Sequence, residues 1–156
     1  MKLRLLAIGK TSGKHYPALM DDYIARISRY NAFEYREMQV ATGTKTPEAV
    51  QMEKEGQAIL KHMAPQERMV LLDAGGASLD SVSFSNYVET LRETGTRQVC
   101  FVIGGPYGFS PAVRAAAAES ISLSPMTFTH QMVRLIFLEQ LYRAFTIINN
   151  EPYHHS

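Results

Sequence analysis

The chain has 156 residues, 46% of them hydrophobic and 20% charged, and a net charge of +1. This length predicts one domain, residues 1–156, with a core of its own, and no run approaches the ~18 uncharged apolar residues of a membrane span. The near balance of charge gives no argument for nucleic-acid binding through bulk electrostatics. The single cysteine, Cys100, excludes an internal disulfide and fits a reducing cytoplasm.

The amino end is the most basic part of the sequence. It contains four basic residues before the first acidic one, Asp21, and they are Lys2, Arg4, Lys10 and Lys14. Two interpretations stay open: a small basic patch that faces phosphate, or solvated loops with no ligand.

Apolar runs and helical periodicity alternate along the chain. Five runs predict strands, at Leu3 to Ile8, Phe33 to Val40, Met69 to Leu72, Val99 to Ile103 and Ile121 to Leu123. Five segments predict helices, at about Pro17 to Tyr30, Thr46 to Met63, Ser83 to Gly95, Ser110 through the alanines that follow it, and His130 to Ile147. This alternation predicts an α/β fold with a mostly parallel sheet and helices on both faces.

Three successive predicted strands end in loops of unusual composition. The loops are "LLDAGGAS", "VIGGPYGFSP" and "SLSPMTFTH". Ligands of open parallel sheets bind outside the carboxyl ends of the strands. The sequence therefore predicts a binding crevice where these three loops meet.

The glycine-rich loop matches neither nucleotide-binding fingerprint. The run "GGPYG" lacks both the G-x-G-x-x-G spacing and the G-K-[ST] ending of a phosphate loop. Gly104 and Gly105 permit a positive φ or the close approach of a ligand. The alternative is a tight turn that needs glycine for its own geometry.

The loop after the fifth predicted strand alternates apolar residues with four hydroxyl residues, Ser122, Ser124, Thr127 and Thr129. Hydroxyl and main-chain partners between apolar walls suit a flat heteroaromatic ligand such as adenine. The alternative is that Met126 and Phe128 are core residues.

The sequence offers little support for a metal site or for a catalytic nucleophile. The five histidines show no metal-binding spacing, Cys100 lies in the middle of a predicted strand, and no G-x-S-x-G elbow occurs. Asp73, at a predicted strand end, is either a hydrogen-bonding partner of a ligand or the start of a turn.

The last predicted helix is too apolar for one small core. Its apolar residues, Leu135, Ile136, Leu138, Leu141 and Phe145, cannot all face that core. A subunit interface would bury the excess. The tail "NNEPYHHS" either closes over a site or is a frayed end.

The ordered motifs "IGGPYGFSP", "SLSPMTFTHQMVR", "EQLYRAF" and "NNEPYH" resemble the bacterial SPOUT-class methyltransferases of ribosomal RNA, specifically the large-subunit pseudouridine N3-methyltransferases. The resemblance covers the whole chain and is strongest over residues 101 to 154. It implies a homodimer that uses S-adenosylmethionine and whose α/β sheet has a trefoil knot in its carboxyl-terminal part. Without the resemblance we would expect an unknotted sheet, since knots are rare.

The resemblance also implies which residues bind the cofactor. Those that match the family's pocket are Leu72, Gly104, Leu123, Ser124, Pro125, Met126, Thr127 and Phe128. Gly105 would join them, because bare backbone at both glycines lets the cofactor lie against the peptide groups. The protein then mainly positions an activated methyl group in line with the target nitrogen.

The family's substrate is a pseudouridine in large-subunit RNA presented by an assembled ribosome. Neither a metal ion nor a membrane is expected as a partner. Arg143, Tyr153 and His154 match the family's helix and tail near the reacting base. We expect Arg143 to position a phosphate or the base, and His154 to remove or orient the proton. The family commonly has arginine after the Tyr-His pair, whereas this chain has His155, which weakens the case for a fixed positive charge there.

Two other functions are compatible with the pattern. One is a non-catalytic α/β module that binds a nucleotide and associates with the ribosome. The other is a flavodoxin-like redox domain, for which "GKTSGKHYP" supplies only part of a phosphate loop.

Overall fold

Five parallel strands form one sheet in the computed structural model, which describes residues 1–155. The strands are β1 (Lys2–Ile8), β2 (Ala32–Met38), β3 (Arg68–Ser78), β4 (Gln98–Ile103) and β5 (Glu119–Ser122). Their order across the sheet is β2-β1-β4-β3-β5, and each neighbouring pair is parallel. The predicted α/β fold is therefore confirmed. The trefoil knot stays a prediction, because strand order alone does not establish how the chain is threaded.

Five helices cover the two faces of this sheet. They are α1 (Tyr16–Ile27), α2 (Glu48–His62), α3 (Ser81–Glu93), α4 (Pro111–Ala116) and α5 (Met132–Ile148). One apolar core joins α1, α3 and α5 to the sheet, and a second joins α2 and α4 to the opposite face. Within residues 1–155, none of the helices combines the length and apolarity that crossing a bilayer requires.

The helix starts follow the sequence signals in one case and depart from them in another. Ser110 caps α4 as predicted, because its hydroxyl oxygen accepts from the main-chain N–H of Val113 at 3.4 Å. The sequence Thr46-Pro47-Glu48 predicts that Thr46 caps α2 and that Pro47 is its first residue, and this is wrong: the helix begins at Glu48, after an extended Pro47, and none of the described side chains caps it. The main-chain N–H of Thr46 instead donates to Gly43 in a turn.

The middle of the sheet is apolar on both faces. Val70 and Phe101 face the core under α5, whereas Leu71 and Val102 face the core under α2 and α4. Cys100 is buried in β4 as a free thiol, as predicted, and burial raises its pKa to about 12. This thiol is therefore protonated and takes part in packing rather than chemistry.

The four basic residues of the amino end do not form one patch. Lys2 forms an ion pair with Glu34 at 2.7 Å. The guanidinium of Arg4 forms a nearly buried ion pair with Glu67 at 2.5 Å. The interpretation as a four-residue patch is therefore wrong, although Lys10 does lie beyond β1 at the carboxyl edge of the sheet.

Candidate functional site

The carboxyl ends of β4, β3 and β5 lie side by side, as the sequence predicts. Leu72 of β3 is the register partner of Ile103 of β4, and Ala7 of β1 pairs with the same residue from the other side. Two cavities open on the two sides of the end of β4. A third, of about 380 Å³, lies between the loop after β5 and helices α3 and α5, and it shares Leu123, Ser124 and Phe128 with one of them. We call the one between the ends of β3 and β5 the loop cavity, and the one between the ends of β1 and β4 the glycine cavity.

The loop cavity has a volume of about 170 Å³. It brings together six of the nine predicted cofactor residues, Leu72, Leu123, Ser124, Met126, Thr127 and Phe128. Pro125 lies exposed within the same loop. Met126 is 74% exposed and Phe128 is exposed as well, so the interpretation of these two as core residues is wrong.

Hydrogen bonds within the loop shape the wall of this cavity. The hydroxyl of Ser122 donates to the main-chain oxygen of Ser124 at 3.1 Å. The hydroxyl of Ser124 in turn accepts from the main-chain N–H of Met126 at 2.9 Å. Because both serines bind the loop's own backbone, they hold its conformation rather than present two free hydroxyls.

The strand β3 forms the other wall, and it is irregular where it passes the cavity. Leu72 and Ala77 both pair with Ile121, so the four residues between them protrude from the sheet. Asp73 begins this excursion, and its carboxylate accepts from the guanidinium of Arg114 at 2.5 Å. The turn interpretation of Asp73 is therefore wrong, because the residue lies within β3. Asp73 lines the loop cavity, where Arg114 binds its carboxylate.

The glycine cavity is larger, about 380 Å³, and holds the other two predicted residues, Gly104 and Gly105. Neither glycine has a positive φ. A Cβ atom on Gly104 would lie 3.0 Å from the ring of Phe109, and one on Gly105 would lie 2.2 Å from Oε2 of Glu55. The two glycines therefore permit the close approach of side chains of this chain, namely the Phe109 ring and the Glu55 carboxylate.

Glu55 is a site residue that sequence reasoning missed. It lies on α2, is only 3% exposed, and its Oε1 accepts from Nε2 of Gln51 at 2.9 Å. Its Oε2 has no hydrogen-bond partner among residues 1–155. The available signal was Gly56, since a glycine inside a helix indicates close packing. A Cβ there would lie 2.3 Å from the hydroxyl of Ser110.

Arg134 is a second residue whose role was not predicted from the sequence. Its side chain is fully buried, and it donates to four oxygens from three parts of the chain. They are the main-chain oxygens of Ile8 and His130, both at 2.9 Å, and the hydroxyls of Thr11 and Tyr35, both at 3.0 Å. Arg134 therefore fastens the start of α5 to the end of β1, beside the glycine cavity.

The charge of Arg134 is partly balanced by Glu37, whose carboxylate lies 3.9 Å away. Burial alone would raise the pKa of Glu37, but hydrogen bonds from the hydroxyl and main-chain N–H of Thr11 and the charge of Arg134 outweigh it and lower that pKa. Tyr35 stays a neutral hydrogen-bonding group, because burial raises its pKa.

The predicted catalytic residues Arg143, Tyr153 and His154 come together at the far end of α5. The guanidinium of Arg143 lies over the Tyr153 ring, 4.8 Å from its centroid, and contacts Nδ1 of His154 at 3.3 Å. Glu139 binds the same guanidinium at 2.7 Å and accepts from the Tyr153 hydroxyl at 3.1 Å. The tail is thus docked on the helix up to His154, not frayed.

Two features of this cluster restrict its chemistry. Burial and the neighbouring Glu139 carboxylate raise the pKa of Tyr153, so its hydroxyl remains protonated and cannot serve as a base at neutral pH. Arginine can only donate, so Nδ1 of His154 is the acceptor of the contact with Arg143. A neutral His154 then carries its proton on Nε2, which is left as a hydrogen-bond donor.

Metal chemistry has no counterpart in this geometry. Among residues 1–155, His, Cys, Asp and Glu side chains do not gather in threes as a metal site would require.

Comparison with known proteins gives consistent matches. A family model described as "Predicted SPOUT methyltransferase" matches residues 1–154. The chain is 49% identical to proteins of Parabacteroides distasonis and Porphyromonas gingivalis and 47% identical to one of Flavobacterium psychrophilum, each named "Ribosomal RNA large subunit methyltransferase H". Each match covers 99% of both chains.

Among solved structures, the fold is similar to that of a methyltransferase from Legionella pneumophila in complex with the bound cofactor SAM. The TM-score is 0.52 at 12% sequence identity. The match covers 92% of this chain and 66% of that chain, just under two thirds of its length. At this identity the likeness concerns the fold alone.

Proposed function

The chain belongs to the SPOUT methyltransferase family, and from this premise we propose that it uses S-adenosylmethionine to methylate large-subunit ribosomal RNA. The names of its relatives state the RNA substrate, and they match over nearly the whole chain. At finer resolution we propose ring nitrogen N3 of a pseudouridine in an assembled, cytoplasmic ribosome as the target. We further propose that residues 1–156 act as one SPOUT domain with a knotted carboxyl-terminal part.

The single observation that carries this proposal is the pair of cavities around the end of β4. Ligand pockets usually measure about 300–1,000 Å³, so the loop cavity of about 170 Å³ is too small for a whole cofactor. The glycine cavity of about 380 Å³ lies on the other side of Gly104. A ligand that bridges the end of β4 would use both, which suits a molecule with an adenosine end and an amino-acid end.

In this proposal the loops at the strand ends bind the cofactor, and no single polar cluster does so. Leu72 and the loop from Leu123 to Phe128 would enclose the adenine between apolar walls, with main-chain groups at its edge. S-adenosylmethionine, when bound, supplies a methyl group that is already activated by the sulfonium. The residues of this chain therefore have to hold the cofactor, orient the target base and exclude water, and they do not have to create a nucleophile.

The cluster at the end of α5 would contact the RNA. Arg143 and Tyr153 form a flat cationic and aromatic surface, which suits a base or a phosphate. Since Nδ1 of His154 is already an acceptor for Arg143, we propose that Nε2–H orients the base and that His154 does not take its proton. Arg143 keeps this ring in place, so it positions both RNA and histidine.

The apolar excess of α5 argues for a homodimer. Leu135 and Ile136 remain partly exposed on this helix, and a subunit interface would bury them. We propose that the cluster of one chain faces the cavities of a second copy, with partly exposed Leu135 and Ile136 in the interface.

The test is transfer of radiolabelled methyl groups to assembled ribosomes and to separated subunits, from cells that lack this protein. We expect label in the large-subunit RNA of assembled ribosomes with the wild-type protein. Arg143→Met should lose it, while circular dichroism and the binding of S-adenosylmethionine stay unchanged. Association with ribosomes without any transfer by the wild-type protein would contradict the proposal and favour the non-catalytic module.

A further inference from the structure

Among residues 1–155, Glu55 is the one buried side chain with a polar atom that lacks a hydrogen-bond partner. The residue is only 3% exposed, one carboxylate oxygen accepts from Gln51, and Oε2 has no partner among the described residues. A buried carboxylate usually has its full set of hydrogen bonds, because burying charge without compensation is costly. The site therefore lacks a donor that a ligand can supply.

Glu55 lies in the wall of the glycine cavity. It is held against Gly105, whose missing Cβ leaves the space that Oε2 occupies. Gln51, the partner of the other oxygen, lines the same cavity. Rotation about the last side-chain torsion of a glutamate costs little, so either oxygen can turn toward a ligand.

The same cavity is also lined by a positively charged residue. Lys10 follows β1, is exposed, and lines the cavity together with Gly9 and His130. An anionic group such as an RNA phosphate would meet Lys10 favourably but would be repelled by the Glu55 carboxylate. A ligand with an ammonium and a carboxylate close together satisfies both residues.

We infer that the glycine cavity binds the α-amino-acid end of S-adenosylmethionine, with Glu55 accepting from its ammonium group and Lys10 pairing with its carboxylate. This inference rests on the proposed function. It divides the cofactor between the two cavities, the adenosine end near Leu123 to Phe128 and the amino-acid end near Glu55. Adjacent strands are about 4.8 Å apart, so cavities on the two sides of β4 lie within the reach of one such molecule.

The test compares ligands that differ only in the amino-acid end. Isothermal titration calorimetry would measure binding of S-adenosylmethionine, S-adenosylhomocysteine and 5′-methylthioadenosine, which lacks the α-amino acid. We expect Glu55→Gln to weaken the first two at least tenfold and to leave 5′-methylthioadenosine unchanged. Glu53→Gln, a change of the same type at an exposed position on α2, is the matched control and should bind all three as the wild type does.

A second variant keeps the test decisive if Glu55→Gln does not fold. Lys10→Met alters an exposed side chain outside any helix or strand, and it should weaken S-adenosylmethionine several-fold without affecting 5′-methylthioadenosine. If both variants bind each of the three ligands as tightly as the wild type does, the inference is overturned. It is also overturned if Glu55→Gln loses as much affinity for 5′-methylthioadenosine as for S-adenosylmethionine. Unchanged cofactor binding with a raised KM for ribosomes would overturn it as well, because that result would assign Glu55 to RNA binding.

These outcomes are distinct from failure of the proposed function. If the wild-type protein binds none of the three ligands, the cofactor itself is wrong and the inference falls with it. If the wild type binds S-adenosylmethionine and only the selectivity of Glu55→Gln is absent, the proposed function stands and the assignment of the amino-acid end is refuted.

Discussion

Replacing Arg134 with methionine should destabilise the protein far more than any exposed arginine would. Methionine keeps most of the length and packing but removes four donated hydrogen bonds and a charge 3.9 Å from Glu37. Breaking a buried charged network by removing one partner costs about 3–5 kcal/mol. For a chain of this size, that corresponds to roughly 6–20 °C in melting temperature.

Urea denaturation at fixed protein concentration is the direct assay. With an m-value of about 2 kcal/mol/M, the midpoint of Arg134→Met should fall by roughly 1.5–2.5 M. Arg143→Met is the control on the same helix, since its ion pair with Glu139 is partly exposed, unlike Arg134, and contributes about 1 kcal/mol or less. The two variants should have different defects: Arg134→Met loses stability, whereas Arg143→Met loses methyl transfer. An Arg134→Met protein within about 0.5 kcal/mol of wild type would refute the reasoning.

Three further outcomes are expected. Gly76→Ala should lower the free energy of unfolding by about 1–3 kcal/mol, because its Cβ would lie 2.5 Å from main-chain atoms of β5. Gly75→Ala, with its nearest atom at 3.8 Å, is the control, and equal melting temperatures for both would contradict this. Cys100, buried and with its pKa raised by burial to about 12, should resist thiol reagents at pH 8 until the protein unfolds; labelling in native buffer would disprove it. A hydrogen bond from Arg68 holds the pKa of Glu119 below its ordinary value, so the pair contributes stability above pH ~4.3 that is lost as pH falls through the folded pKa. Arg68→Met should flatten this decline in urea titrations from pH 6 to pH 3, and an unchanged slope would count against it.

The architecture was predictable because its causes are local in the sequence. Apolar runs that are too short for helices and bounded by glycine, proline or charge became the five strands, each within a few residues of its predicted position except β3. The end of β3 was missed because "DAGG" reads as a terminating turn. In the structure it is an excursion, after which Ala77 pairs with Ile121 again.

The bonding at the site was less predictable, because it depends on contacts between distant parts of the chain. Nothing in "MEKEGQ" distinguishes buried Glu55 from exposed Glu53. The difference arises only when α2 packs against the glycine loop, some 50 residues later in the chain. Arg134 likewise reads as one more charge on a helix, although its partners lie as far away as Ile8.

The contacts of Arg134 also explain why a cavity lies beside the loop after β5. The chain leaves β5 at one edge of the sheet and is next fixed where Arg134 and Gln131 bind the segment after β1. Between these points it passes the ends of β3 and β4, three strand spacings or about 14 Å. Nine residues, 123 to 131, cover that distance, although extended they could span about 30 Å. The surplus has to arch away from the sheet edge, which is why Met126 is 74% exposed and why a space remains beneath the loop that a flat ligand can enter.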